Sequence, residues 1–110
     1  MRTQIDAQVL TVYVGENDRF QTGLLYPAIV AKLQEAGLLG VTVLQGVEGF
    51  GAHHKLHTAR FESLFTGLPV VIESVDDRAK IAAVLPILDT MIEEGLVTVQ
   101  DVHAIRYSKD

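Results

Sequence analysis

Hydrophobic periodicity switches from two to 3.6 and back, twice, along this chain, and that alternation leaves few folds open. Gln8 to Val14 reads Gln-Val-Leu-Thr-Val-Tyr-Val, β-branched and aromatic, and predicts a strand. A polar loop, Gly15 to Arg19, follows. Leu25, Ala28, Ile29, Leu33 and Ala36 then recur at helical spacing, so a helix is expected from Thr22 or Leu24 to Ala36. Thr22 is its candidate N-cap and Gly37 its C′ residue. Val41–Gln45 is the second strand and Pro69–Val75 the third. Asp76 and Asp77 suit the start of a second helix. That helix carries Ile81, Val84, Leu85, Leu88 and Met91 or Ile92 on one stripe, with Pro86 expected to kink it. Gly95 ends it, and Leu96–Gln100 starts a fourth strand that resumes from Val102 to Ile105. Residues 1–6 are polar and are expected to fray.

Strand–helix–strand twice over, with right-handed crossovers, predicts an α+β fold of ferredoxin-like βαββαβ order. Its sheet is four-stranded and antiparallel, both helices lie on one face, and a long loop joins the second and third strands. The 110 residues suffice for one such domain, 1–110. Leu10, Val12 and Val14 point to one side of the first strand, and Val9, Thr11 and Tyr13 to the other. A two-layer domain buries only one sheet face. The apolar second face therefore calls for a cover, and a homo-oligomer packing sheet on sheet supplies it.

The same topology gathers three loops at one end of the sheet: Glu16-Asn17-Asp18, the segment after the second strand, and Glu93-Glu94-Gly95. The segment after the second strand is Gly46-Val47-Glu48-Gly49-Phe50-Gly51-Ala52-His53-His54-Lys55-Leu56-His57-Thr58. Closely spaced glycines let another group approach the main chain, and successive N–H groups in such a turn cradle an anion. The same glycines also suit a bulge and a bend in a long hairpin. Gly46, Glu48, Gly49, Phe50 and Gly51 are the candidate ligand residues of this loop. Glu16, Asn17 and Asp18 either orient the first helix or hold a ribose or a cation. Arg60 and Arg106 are candidate phosphate partners across an interface, or ordinary surface ion pairs. His53, His54 and His57 read as exposed loop histidines, because a structural zinc site wants four defined ligands, often cysteines. His57 to Phe65 has the alternation of a strand extension.

Composition closes several classes. Net charge is −5, against the basic face that nucleic-acid binding needs. Cysteine is absent, which excludes disulfides and thiol catalysis. No apolar run reaches the roughly 20 residues that span a bilayer, and no signal-like apolar stretch opens the chain, so a cytoplasmic protein without membrane insertion is expected. Neither a nucleophile elbow nor a Ser/His/Asp spacing occurs, so no catalytic residue is assigned and no enzyme is expected.

Four motifs, in order over nearly the full length, carry a resemblance. They are Tyr-Val-Gly-Glu-Asn-Asp-Arg (13–19), Gly-Val-Glu-Gly-Phe-Gly (46–51), His-Thr-Ala-Arg (57–60) and Leu-Pro-Val-Val-Ile-Glu (68–73). The chain resembles the PII-like family catalogued as domain of unknown function 190, and more distantly the nitrogen regulatory PII signalling proteins. That resemblance implies a homotrimer with its sheets facing inward and an adenine nucleotide in each cleft between subunits. Gly49 and Gly51 would stand at the loop base, Lys55 and His57 along the loop, and Gly95 before the last strand. It further implies a loop that docks on a partner protein, such as a membrane transporter or channel. Phe61 takes the place of the tyrosine that can be uridylylated in PII proteins, and lacks its hydroxyl. Glu93-Glu94-Gly95-Leu96 is acidic where PII proteins carry glycines and a lysine, so AMP, ADP or a cyclic nucleotide is expected more readily than ATP, and no obligatory cofactor. The alternatives are a metal-binding trimer of the divalent-cation-tolerance (CutA) type, which shares the architecture, and an adaptor that binds no ligand.

Overall fold

The computed structural model describes residues 1–50, 57–58 and 67–109. Its centre is β1 (Arg2–Gly15), paired antiparallel on one side with β7 (Pro69–Asp77) and on the other with β8 (Leu96–Tyr107). β4 (Thr42–Gln45) pairs with the outer side of β7. The order β4-β7-β1-β8 is the antiparallel ferredoxin-like sheet that the sequence predicts. Among the described residues, two short ladders stand apart from it, β2 (Arg19–Phe20) with β3 (Gly23–Leu24), and β5 (Glu48–Gly49) with β6 (His57–Thr58).

The helices α1 (Leu25–Glu35) and α2 (Arg78–Asp89) cover one face. Val12 lies opposite Ile72 on one side and Val97 on the other, which fixes the shared face. Leu10, Val12, Val14, Val70 and Ile72 pack there against Leu25, Ile29 and Leu33 of α1 and Ile81, Val84 and Leu88 of α2. Each such side chain, buried in full, contributes about 1.5–3 kcal/mol. Two polar groups share that interior, and both are satisfied. Ser74 Oγ donates to the Gly40 carbonyl, and the Asp76 carboxylate accepts from the Leu39 and Asp77 amides at 2.8 and 2.7 Å. They fasten the α1–β4 turn to β7.

The helix ends follow local chemistry. Asp77 caps α2, its Oδ1 accepting from the Lys80 amide at 2.9 Å. Gly37, at φ 83°, closes α1 with its amide bonded to the Gln34 carbonyl and Leu38's to Leu33's. At the other end, Thr22 does not cap α1. Leu24 occupies the N-cap without a side-chain bond, because residues 19–24 form the β2–β3 ladder instead. α2 continues through Pro86, and β8 is a single strand from Leu96 to Tyr107.

Residues 2–6 do not fray. They pair with residues 103–107 of β8, a two-stranded ribbon that extends past the end of β7. Its root is held by charge. Gln8 Nε2 donates to Asp101 Oδ1 at 2.9 Å, and Arg78 Nη1 lies 3.0 Å from the same oxygen. The Gln8 bond, then the Arg78 bond and charge, hold the Asp101 carboxyl below its ordinary value, and Asp101 holds Arg78 above its own. A carboxyl lowered on folding adds stability that is present above its unfolded value, near about pH 4, and lost as pH falls through the folded one. In an acid titration followed by circular dichroism, Arg78→Gln is expected to lose stability less steeply below about pH 4 than the parent does. The pair is solvent-exposed, so the difference is small. An unchanged acid limb would remove the ion pair from the account.

Candidate functional site

One end of the sheet collects the loop roots. Gly15 lies opposite Pro69, Gln45 opposite Val70, and Tyr13 opposite Leu96, so β1 and β4 finish where β7 and β8 start. Gly46 leaves β4 with its amide bonded to the Pro69 carbonyl at 2.7 Å. Two residues on, Glu48 and Gly49 pair with Thr58 and His57, so the chain beyond β4 continues as a narrow ladder.

The glycines here make close approaches possible. A Cβ on Gly46 or Gly49 would stand 2.8 or 3.0 Å from the Pro69 ring, one on Gly67 2.9 Å from the Asn17 amide nitrogen, and one on Gly95 2.8 Å from the Tyr13 carbonyl oxygen. Two connections, β4–β7 and α2–β8, are thereby pressed onto the end of β1, the turn after it and the start of β7. Packing alone accounts for Gly46 and Gly49, whatever else they touch.

The acidic turn after β1 is tied down through both its carboxylates. Asp18 Oδ2 accepts from the Gly15 amide at 2.8 Å, and the Asp18 carbonyl accepts from Leu25, the first residue of α1. That main-chain bond orients the helix, with no side-chain cap. Glu16 reaches two elements at once: Oε1 accepts from Gln45 Nε2 at 2.5 Å and Oε2 from the Leu68 amide at 3.2 Å. Its own amide returns a bond to the Leu68 carbonyl at 2.8 Å. Gln45 and Leu68 escape a sequence reading, since only the β4–β7 register brings them beside Glu16.

Among the described residues this end is acidic, with Glu16, Asp18 and Glu48 in its loops and Glu93 and Glu94 just before Gly95. Arg19 turns its guanidinium to the Thr22 carbonyl at 3.1 Å. Phe50 stands exposed after β5. His57 is placed only as a strand residue. Gly51, Lys55 and Arg60, like the His57–Phe65 extension beyond Thr58, lie outside the described residues. Arg106 pairs with Thr3 on the ribbon, ten residues along β8 from Leu96, so one chain does not bring it to this end. A groove of about 560 Å³ also lies on that ribbon, lined by Gln4, Asp6, Asp101 and His103, away from the loop roots. No three His, Asp or Glu side chains among the described residues are grouped to hold a metal.

Beside the loop roots, the end of the sheet face away from the helices is apolar and uncovered in the single chain, while Thr11, Thr42, Glu73 and Thr98 follow farther along that face. Leu44, Tyr13 and Leu96 on it are 54, 43 and 58% exposed, with Val71 half-buried between Leu44 and Tyr13. The end of this face and the loop roots form one continuous margin.

An antiparallel β4-β7-β1-β8 sheet with two helices on one face is the ferredoxin-like fold. It superposes on CPII of Thiomonas intermedia K12, a nitrogen regulatory PII-like protein solved with ADP, AMP and bicarbonate, with a TM-score of 0.67 over 93% of this chain and 91% of that one. The two are 15% identical, so the likeness is one of fold. The family model DUF190, "Uncharacterized ACR", matches residues 7–104, and the chain belongs to that family. Among similar proteins, the UPF0166 protein MJ1524 of Methanocaldococcus jannaschii is 36% identical over 103 residues, 93% of this chain and 94% of its own. A UPF0166 protein of Aquifex aeolicus is 28% identical over 101 residues, 92% and 95% of the two chains. No helix among the described residues is long and apolar enough to cross a membrane.

Proposed function

We propose that this protein is a PII-like regulator, not an enzyme, that binds an adenine nucleotide and reports it to a partner protein. The observation that carries the reading is the meeting of the loop roots at the margin of an uncovered apolar sheet face. A second and third copy seated on that face would make a homotrimer and turn each margin into a cleft. Gly46, Glu48, Gly49, Phe50, Gly51 and Gly95 would line one side of it, with Asn17 at its floor. Lys55, His57 and Arg60, and Arg106 of an adjacent copy, are the candidate phosphate and ribose partners. CPII was solved bound to ADP, AMP and bicarbonate. AMP or ADP is the effector proposed here, because carboxylates at Glu48, Glu93 and Glu94 disfavour a third phosphate. The β4–β7 connection is the proposed contact with the regulated protein, a membrane transporter or channel in the cytoplasmic setting expected of the chain.

The test is calorimetric titration with AMP, ADP, ATP and cyclic AMP, each with and without magnesium. The expected result is micromolar binding of AMP or ADP, about −8 kcal/mol, and weaker binding of ATP. No heat with any of the four overturns the reading in favour of a ligand-free adaptor.

A further inference from the structure

Glu16 invites a ligand role by its place at the loop roots, yet both its carboxylate oxygens are already engaged within the chain. We infer that Glu16 is a positioning residue: with Gln45 and Leu68 it forms a clasp that sets the spacing of the two roots of the β4–β7 connection, and through that spacing the affinity of the cleft. This rests on the nucleotide-binding reading above.

The geometry is specific to two roots at once. Gln45 is the last residue of β4 and Leu68 immediately precedes β7, so the connection leaves and returns between them. The carboxylate accepts from Gln45 Nε2 and from the Leu68 amide, one oxygen to each. The Glu16 amide bonds the Leu68 carbonyl, and the Gly46 amide bonds the Pro69 carbonyl, so main-chain bonds flank the clasp. Gly67 completes it, with room for no Cβ against Asn17. Two main-chain bonds already hold the sheet end closed. The carboxylate therefore adds little to whether this end folds, and instead adds a lateral tie between β4 and the end of β1. Those strands are not neighbours in the sheet, since β7 lies between them. An acceptor-only group suits the place, because a carboxylate takes two donors from opposite sides.

Side-chain chemistry separates positioning from ligand contact. Gln45→Glu sets two carboxylates face to face and opens the clasp. Adding Glu16→Gln restores it with the polarity reversed. The new amide at position 16 then accepts from Leu68 through its oxygen, and its NH₂ donates to the new carboxylate at position 45. A direct ligand contact by the Glu16 carboxylate cannot be restored this way.

The experiment measures the Kd for AMP and ADP by calorimetry, with sedimentation and urea denaturation on the same samples. Gln45→Glu is expected to raise the Kd about tenfold, equal to about 1.4 kcal/mol, with assembly unchanged and little loss of stability. The double variant Glu16→Gln/Gln45→Glu is expected to return to within about twofold of the parent. A double variant as weak as the single one overturns the inference in favour of direct contact. Parent-like affinity in Gln45→Glu overturns it in favour of an idle surface pair. Affinity that falls only in step with stability overturns it in favour of a structural role. A parent protein that binds no nucleotide removes the functional reading, and this inference with it.

Discussion

Gly95→Val is expected to destabilise the protein by about 2–5 kcal/mol, the sum of overpacking and backbone strain. The added Cβ would lie 2.8 Å from the Tyr13 carbonyl oxygen, 3.1 Å from Ile92 Cγ2 and 3.2 Å from Val14 Cγ1. The first of these contacts cannot relax by a rotamer change. The Tyr13 carbonyl is main chain of the central strand, where Tyr13 lies between Val71 on one side and Leu96 on the other. The start of β8 has to move out, or the end of β1 has to yield. Gly95 also sits at φ 158°, at the edge of a region that side-chain-bearing residues rarely enter. Urea denaturation reads the effect as a lower midpoint at unchanged slope. A variant of parental stability that no longer binds nucleotide would instead assign Gly95 to the ligand.

Val71→Lys is expected to yield a folded monomer without nucleotide binding. Val71 lies mid-sheet on the uncovered face, opposite Tyr13 on β1 and Leu44 on β4. In one chain a lysine there keeps its ammonium in water. Under a second copy the ammonium would lose its water on this face, with Glu73 two residues along the strand, at a cost of several kcal/mol per subunit. Sedimentation gives the mass, far-UV circular dichroism the fold, and calorimetry the loss of the cleft. An assembly that survives the substitution would move the subunit contact off this face.

Strand order was legible because β1, α1, β7 and α2 each carry a clean period and a terminating signal, as at Gly37 and Asp77. Residues 2–6 were not, because the ribbon they form has no helix layer beneath it. Polar residues are therefore tolerated on both its faces, Gln4 and Asp6 on one and Thr3 on the other, and no apolar stripe marks the strand. The start of α1 near Leu24 was legible but its cap was not, because a turn chemistry that favours Thr22 as a cap also favours the tight β2–β3 ladder. At the site, convergence of the loops followed from topology alone. The duties of individual side chains did not. Spacing along the chain does not show that Gln45 and Leu68 lie within reach of the Glu16 carboxylate, nor that the Pro69 ring fills the space beside Gly46 and Gly49.

The position of β1 in the sheet bears on how the chain reaches this structure. The middle strand is made first, and the strands that flank it are the third and the last of the four main strands to be made, with Arg2 pairing Tyr107 across nearly the whole sequence. A ribosome therefore releases an unflanked apolar strand and holds it so until residue 69 and beyond emerge. Contacts this distant in sequence slow folding, because the intervening chain must be ordered before any of them forms. During that interval Val9–Val14 is the segment most in need of protection from other nascent chains.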